Sequence, residues 1–131
     1  MAGNWDIYCD YFITALIAID QNTDKNGCLE VSPGDYGRKM LSPQWKAIEG
    51  AELEALSWTQ LPMQSGDVLF FGSYIPHQSK RNKSACPRRN LYLTYNRQVE
   101  GDFREQYYID KRKSYPPDIE QEDGKTYVFK V

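Results

Sequence analysis

One histidine and one pair of arginines are the side chains whose types and spacing suggest chemistry in this sequence. The chain has 131 residues and a single histidine, His77, which follows the apolar run at 68–71. An imidazole can act as a general base or bind a metal, although a lone histidine is more often a hydrogen-bonded structural residue. A zinc site with two histidine ligands is excluded, and HExxH, GxSxG, GxGxxG and GxxxxGK[ST] are all absent.

His77 belongs to a longer pattern. In order, its parts are Gly66-Asp67, the apolar run, His77, Ser79, Asn82, Ser84 and the pair Arg88-Arg89. Upstream, an apolar run at 15–19 precedes Asn26-Gly27-Cys28 and then Pro33-Gly34. Over residues 11–96 this pattern resembles the C-terminal half of the phytanoyl-CoA dioxygenase family, whose members are non-haem iron, 2-oxoglutarate-dependent oxygenases.

The resemblance implies roles for four residues. His77 would be the distal histidine of a facial triad of two histidines and one carboxylate that holds Fe(II). Arg88, eleven residues later, would bind the far carboxylate of 2-oxoglutarate, because a planar guanidinium pairs with a carboxylate through two hydrogen bonds. Ser79 and Arg89 are further candidates for the co-substrate. Strand alternation would send Arg88 and Arg89 to opposite faces, and the family spacing favours Arg88; without the resemblance the pair would indicate a solvated charge cluster.

The sequence departs from the family in its metal ligands. The family's His-x-Asp motif would fall at or just before Met1, and there is no second histidine. Asn4-Trp5-Asp6 could be a degraded version with Asp6 as the carboxylate, but a turn or strand-edge role for Asp6 is the simpler interpretation. The chain is either cut from a longer enzyme or a ligand-depleted member, and we favour truncation. We therefore expect weak Fe(II) binding and little turnover of 2-oxoglutarate by the 131-residue chain alone.

A second departure from the family concerns residues that bear on packing or on the substrate. Asp35-Tyr36 stands where the family commonly has Ser-His after Pro-Gly, a change that bears on packing or substrate more than on metal. Tyr8, Tyr11 and Trp5 are candidate pocket walls. Lys80 and Arg81 beside His77 would favour an anionic substrate.

Two functions from different classes follow. The first is an Fe(II)- and 2-oxoglutarate-dependent oxygenase that hydroxylates a small organic molecule, represented here by a C-terminal portion. The second is a non-catalytic jelly-roll module, or pseudoenzyme, that has lost the metal and binds a small carboxylate through Arg88 or serves as an interaction domain.

The elements that must position these residues are mostly strands. We predict strands at 7–19, 28–31, 68–71 (of the buried type) and 90–96, with Leu91, Leu93 and Tyr95 on one face. Residues 20–27 form a turn in which Asn26-Gly27 favours positive φ, so that a hairpin or a sharp corner follows. A short helix opens at Ser42-Pro43, residues 51–60 are ambiguous, 101–113 can form a helix, and 125–131 form a strand or tail.

Short strands with frequent turn signals indicate a sandwich or barrel. The resemblance sharpens this to a double-stranded β-helix (jelly roll, cupin-like) with peripheral helices, present as one partial domain over residues 1–131.

Composition excludes several classes of protein. A net charge of −2 gives no reason to expect nucleic-acid binding. The longest stretch of low polarity, 12–19, is far shorter than the about 20 residues of a membrane span. Three cysteines without a CxxC pair argue against a disulfide framework and favour a reducing, cytoplasmic compartment. The expected partner is a small molecule.

Overall fold

The computed structural model describes residues 7–42 and 47–127. The strands in this part of the chain are β1 (Phe12–Ala18), β2 (Leu29–Val31), β3 (Thr59–Leu61), β4 (Val68–Gly72), β5 (His77–Ser79) and β6 (Asn90–Asn96). The α-helices are α1 (Gly50–Glu54) and α2 (Arg104–Ser114), and short 3-10 turns span Gln98–Glu100 and Asp118–Glu120. No helix among the described residues is both long and apolar enough to cross a membrane.

The strands form two antiparallel sheets of three strands each. One sheet has the order β4-β1-β6 and the other has the order β3-β2-β5. From β3 onward each successive strand lies in the opposite sheet, so the chain passes back and forth between the two layers. This mainly β architecture agrees with the predicted class.

The core lies between the sheets because β1 and β2 direct their apolar side chains toward each other. Leu16 and Ala18 from β1 pack with Leu29 from β2 and with Met63, and Val31, Leu69 and Phe71 flank them. Leu16 is opposite Leu69 on one side and Tyr92 on the other, which places these residues on the inner face of their sheet. Thr14 is likewise opposite Phe71 and Thr94. The inner face of the β4-β1-β6 sheet therefore faces the sheet that carries His77.

The segment between β1 and β2 is a corner between the sheets rather than a hairpin. Gly27 has φ of +77°, as the Asn-Gly pair predicted. The buried Asn26 accepts from the Thr23 backbone N–H at 2.7 Å and donates to the Gln21 carbonyl at 2.8 Å. These bonds satisfy the polar groups of a tight turn. After this turn β2 lies in the second sheet, where it pairs with β3 and β5 and not with β1.

The prediction that residues 68–71 are all buried is wrong for the outer face of the β4-β1-β6 sheet. The run 68–71 was expected to be buried, yet only alternate residues point inward. Val68 and Phe70 are exposed, whereas Leu69 and Phe71 pack on the core. Leu91, Leu93 and Tyr95 lie on the same face as Val68 and Phe70, and the alternation of β6 predicted that they share a face. All three are exposed, as is Tyr92 on the other face of β6.

The remaining predictions have mixed outcomes. The strand predicted over 7–19 is shorter, at Phe12–Ala18, and the predicted helix over 101–113 is α2. The ambiguous stretch 51–60 holds most of α1 and the start of β3. The helix expected at Ser42-Pro43 and the end of the C-terminal strand lie largely outside the described residues, and 125–127 are not in a strand.

Candidate functional site

His77 opens β5 at the inner side of the sheet. It pairs with Val31 across β2, and its half-buried ring lies against Phe71 from the opposite sheet, with 5.1 Å between ring centroids. Its Nδ1 is 2.9 Å from the carbonyl oxygen of Ile75. A carbonyl can only accept a hydrogen bond, so Nδ1 carries the proton and Nε2 keeps its lone pair.

Burial also sets the charge state of His77. Desolvation lowers the pKa of the imidazole below its usual 6.5, and the hydrogen bond to Ile75 only partly offsets this. The ring is therefore neutral at pH 7. A neutral imidazole whose second nitrogen is held by a backbone carbonyl is the form in which histidine binds metals.

Arg88 and Ser79 lie together on the same side of the structure as His77. Ser79 is two residues beyond His77 on β5, so the two side chains share a face. The Arg88 Nη2 donates to Ser79 Oγ at 3.4 Å. A guanidinium and a hydroxyl that converge in this way offer several donors to one carboxylate.

Gly27 leaves the space that Arg88 occupies. A Cβ at residue 27 would overlap the Lys80 carbonyl oxygen and would lie 3.2 Å from Nη1 of Arg88. The Asn26-Gly27 turn, Lys80 and Arg88 therefore pack as one unit. Asn26-Gly27 and Arg88, which lie near the two ends of the family-like pattern in the sequence, are therefore neighbours in the fold.

Arg89 has a different partner from Arg88. Its Nε and Nη2 both lie 2.9 Å from the carboxylate oxygens of Asp20, and its backbone N–H donates to the same carboxylate. This pairing holds the pKa of Asp20 at about 2. Arg89 thus fastens β6 to the end of β1, while Arg88 reaches β5.

The described residues do not fit an iron centre by themselves. His77 has the chemistry of one ligand, but no group of three or more His, Cys, Asp or Glu side chains in ranges 7–42 and 47–127 could hold a metal ion. Asp6, the proposed carboxylate, lies outside the described residues, as does Trp5. The chain supplies one histidine where the facial triad needs two.

Glu30 is a buried carboxylate that the sequence analysis missed. Its side chain on β2 is only 4% exposed and lies 2.9 Å from Lys80 Nζ. It also accepts from Gln60 at 3.1 Å and Gln78 at 2.8 Å, the residues opposite it on β3 and β5. Lys80 in particular lowers the Glu30 pKa. An acidic residue inside the apolar run 28–31 was the available signal, and Lys80, expected to attract an anionic substrate, is bound to Glu30 instead.

A pocket of about 340 Å³ lies beside the loop that leads to His77. Its lining residues are Tyr11, Gly34, Asp35, Tyr36, Gly37, Arg38, Gly72, Tyr74, Ile75 and Arg97. A smaller pocket of about 30 Å³, lined by His77 itself, shares Tyr74 and Ile75 with it. We call the larger one the tyrosine pocket. Tyr11, an expected pocket wall, is here, whereas Tyr8 lines a separate cleft of about 710 Å³ between α2 and β6.

Comparisons with known proteins agree with the resemblance. The model of the family described as phytanoyl-CoA dioxygenase (PhyH) matches residues 4–90. The chain is 48% identical over 104 residues to a methylphosphonate hydroxylase from Gimesia maris, covering 79% of this chain and 40% of that protein. It is 38% identical over 118 residues to a 2-aminoethylphosphonate dioxygenase from the uncultured bacterium HF130_AEPn_1, covering 89% and 45%. The chain thus spans less than half the length of these curated relatives.

A solved structure supports the fold. The non-heme alpha ketoglutarate dependent carbocyclase of nogalamycin biosynthesis superposes with a TM-score of 0.56 at 21% identity, over 64% of this chain and 35% of that one. This likeness shows that the matched part of the chain shares its fold with part of that protein.

Proposed function

Since the chain belongs to the phytanoyl-CoA dioxygenase family, we propose that it is part of an Fe(II)- and 2-oxoglutarate-dependent oxygenase that hydroxylates a small organic molecule. The named relatives act on methylphosphonate and 2-aminoethylphosphonate, and we extend that substrate class, the small phosphonates, to this chain. The two sheets, between which the chain alternates, would be the two walls of a jelly roll. Residues 1–131 would form one part of that domain.

The observation that carries this proposal is the meeting of Arg88 with Ser79, two residues beyond His77. Arg88 and Ser79 would hold the far carboxylate of 2-oxoglutarate, with the guanidinium as the main donor. His77 would offer the lone pair of Nε2 to the iron, because its Nδ1 is bonded to Ile75. The described residues supply one ligand of the triad, so we do not expect this chain alone to carry out chemistry at iron.

A non-catalytic module that binds a small carboxylate through Arg88 is the second candidate. It is favoured by the lack of a three-ligand cluster among the described residues. Both candidates use Arg88 in the same way, and they differ only in turnover. Formation of succinate from 2-oxoglutarate by the purified chain, abolished in His77→Ala, would decide for the enzyme and would contradict our expectation that this chain alone is inactive.

Binding of 2-oxoglutarate to the 131-residue chain tests the proposal. Hydrogen bonds to a charged group contribute about 1.5–3 kcal/mol, so Arg88→Gln should raise the Kd measured by calorimetry about 10- to 100-fold. Arg89→Gln is the matched control, because it removes the same charge one residue away from a side chain paired with Asp20. Equal losses in the two variants, or none in Arg88→Gln, would remove Arg88 as the anchor.

A further inference from the structure

We propose that the open edge of β6 is an interface at which a second copy of this chain adds its own β6, antiparallel to the first. The two copies would be related by a two-fold axis through Leu93, the middle residue of the strand. One continuous sheet would then run through both copies. This inference concerns association of the chain and does not depend on the proposed function.

The first argument is the backbone of β6, which uses only one of its two sides. β6 is the last strand of its sheet and pairs with β1 alone among the strands of the described residues. The Ile19 N–H donates to the Arg89 carbonyl at 3.0 Å. Since hydrogen-bonded pairs alternate along an antiparallel ladder, every second residue from Arg89 onward bonds to β1, and Tyr92 and Thr94 direct their N–H and C=O groups to the open side. Such a row of groups is a template for another strand.

The second argument is that β6 is uncovered on both faces as well as along its edge. Leu91, Leu93 and Tyr95 are exposed on the outer face and Tyr92 on the inner face. The second sheet packs on β1 and β4 instead. A cleft of about 710 Å³ borders residues 92–96, so there is open space beside the strand.

The third argument is composition. Residues 90–96 contain no charged residue and no proline, which are the usual devices that keep a sheet edge from pairing. Tyrosine, leucine and threonine make up the middle of the strand. Two copies of β6 can therefore approach without repulsion between like charges.

The fourth argument is that the strand is complementary to itself. Antiparallel pairing about Leu93 brings residues that pack or bond well opposite each other. The pairs are Asn90 with Asn96, Leu91 with Tyr95, Tyr92 with Thr94, and Leu93 with its own equivalent. In this register Tyr92 and Thr94 form a hydrogen-bonded pair, which uses the groups that β1 leaves open. Leu93 takes a non-hydrogen-bonded position, where opposite side chains lie closest.

Charged residues come opposite each other only beyond the ends of the paired strands. Arg97 of one copy would lie opposite Arg89 of the other. The Arg89 charge is compensated by Asp20, whose carboxylate oxygens lie 2.9 Å from Nε and Nη2. The ends of the interface therefore do not oppose the pairing of 90–96.

The open edge of β4 is the rival interface. β4 has five residues and ends in Gly72, whereas β6 has seven, and Leu69 and Phe71 on its inner face are packed on the core. The edge strands of the other sheet, β3 and β5, have only three residues each. Val68 is exposed on β4 and provides the control position.

Sedimentation velocity of the 131-residue chain over a range of concentrations tests the inference. We expect an equilibrium between monomer and dimer. Leu93→Lys places like charges opposite each other at the axis and should raise the dimer Kd at least about 10-fold, as should Leu93→Glu. An equimolar mixture of these two variants should restore the dimer, because opposite charges then meet at the axis. Val68→Lys should leave the Kd within about twofold.

Amide hydrogen exchange of the wild-type chain tests the same interface without any substitution. As concentration rises, exchange of the Tyr92 and Thr94 N–H groups should slow, whereas the Leu93 N–H, already bonded to β1, should change less. Four results would overturn the inference. These are a chain that stays monomeric, which would leave the edge to a strand of a different protein, a mixture of the Leu93 variants no more dimeric than either alone, a loss in Val68→Lys as large as that in Leu93→Lys, and a dimer in which Tyr92 and Thr94 exchange as fast as in the monomer.

Discussion

Two contacts among the described residues favour one protonation and tautomeric state of His77. The Ile75 carbonyl takes the Nδ1 proton, and burial against Phe71 keeps the ring neutral. Both effects favour the neutral ring with its lone pair on Nε2, which is the form that the proposed metal-ligand role requires. In a chain with one histidine, this state can be measured without assignment of other imidazoles.

The pH dependence of folding follows from the lowered pKa of His77. The unfolded chain takes up a proton near pH 6.5, while the folded chain takes it up only at lower pH. Between these two values the unfolded state binds more protons, so stability rises with pH there and falls as the solution is acidified below about 6.5. NMR titration of the ring should give a midpoint below 6.5, and His77→Gln should lose this part of the pH dependence. A midpoint at or above 6.5 would show that the ring is not desolvated.

At the scale of elements, the corner between β1 and β2 has a second role in positioning Arg88. Gly27 adopts φ of +77° and leaves no room for a side chain between the Lys80 carbonyl and the Arg88 guanidinium. The turn that carries the chain from one sheet to the other therefore also forms the wall against which Arg88, the proposed co-substrate anchor, lies. Glu30, three residues later, ties Lys80 to the same sheet.

Alanine substitutions at Gly27 and Gly66 distinguish the effect of backbone strain from the effect of the close approach to Arg88. Gly27→Ala should lower the free energy of unfolding by more than the about 1–3 kcal/mol that positive φ alone costs, because its Cβ would overlap the Lys80 carbonyl, and it should also weaken 2-oxoglutarate binding by displacing Arg88. Gly66→Ala is the control, because Gly66 also has positive φ, +93°, but a Cβ there would meet nothing within 4 Å. Gly66→Ala should share the strain and leave the affinity for 2-oxoglutarate intact. Equal affinities for the two variants would show that Gly27 does not position Arg88.

At the scale of the whole molecule, the two faces of the β4-β1-β6 sheet differ in what they contact. The inner face packs on the second sheet through its β1 and β4 residues, whereas the outer face exposes Val68, Phe70, Leu91, Leu93 and Tyr95. A contiguous apolar surface of this kind favours association of the isolated chain. Among these five residues, Phe70 has the most accessible aromatic side chain, with 67% of it exposed.

Phe70 and Phe71, which are adjacent on β4, allow the difference between the outer and inner faces to be measured. Phe70→Thr should change the free energy of unfolding by no more than about 0.5 kcal/mol and should reduce aggregation, as followed by light scattering. Phe71→Thr removes a side chain that packs on the core and on His77, and it should destabilise the chain by about 3 kcal/mol. Similar destabilisation by both substitutions would mean that the outer face is covered.

The sequence predicted the strand with strong alternation and the turn at Asn-Gly, whereas the roles of Arg88 and Ser79 toward the co-substrate stay a prediction. Alternation identifies which side chains share a face, so β6 and the shared face of Leu91, Leu93 and Tyr95 were predictable, but not their exposure. Alternation does not show which strands pair. The buried Glu30 cluster and the tyrosine pocket are built from residues distant in sequence, so neither could be predicted. Alternation and family spacing separated Arg88 from Arg89 in the sequence, but only the fold shows their partners, Ser79 for Arg88 and Asp20 for Arg89.

The central claim is that Arg88 and His77 belong to one site. The most direct test is to follow the NMR signals of the single imidazole during titration of the chain with 2-oxoglutarate. We predict that the His77 signals shift with the same isotherm as binding, and that the shift is lost in Arg88→Gln but kept in Arg89→Gln. Binding of 2-oxoglutarate without any change at His77, or a shift that persists in Arg88→Gln, would contradict the account.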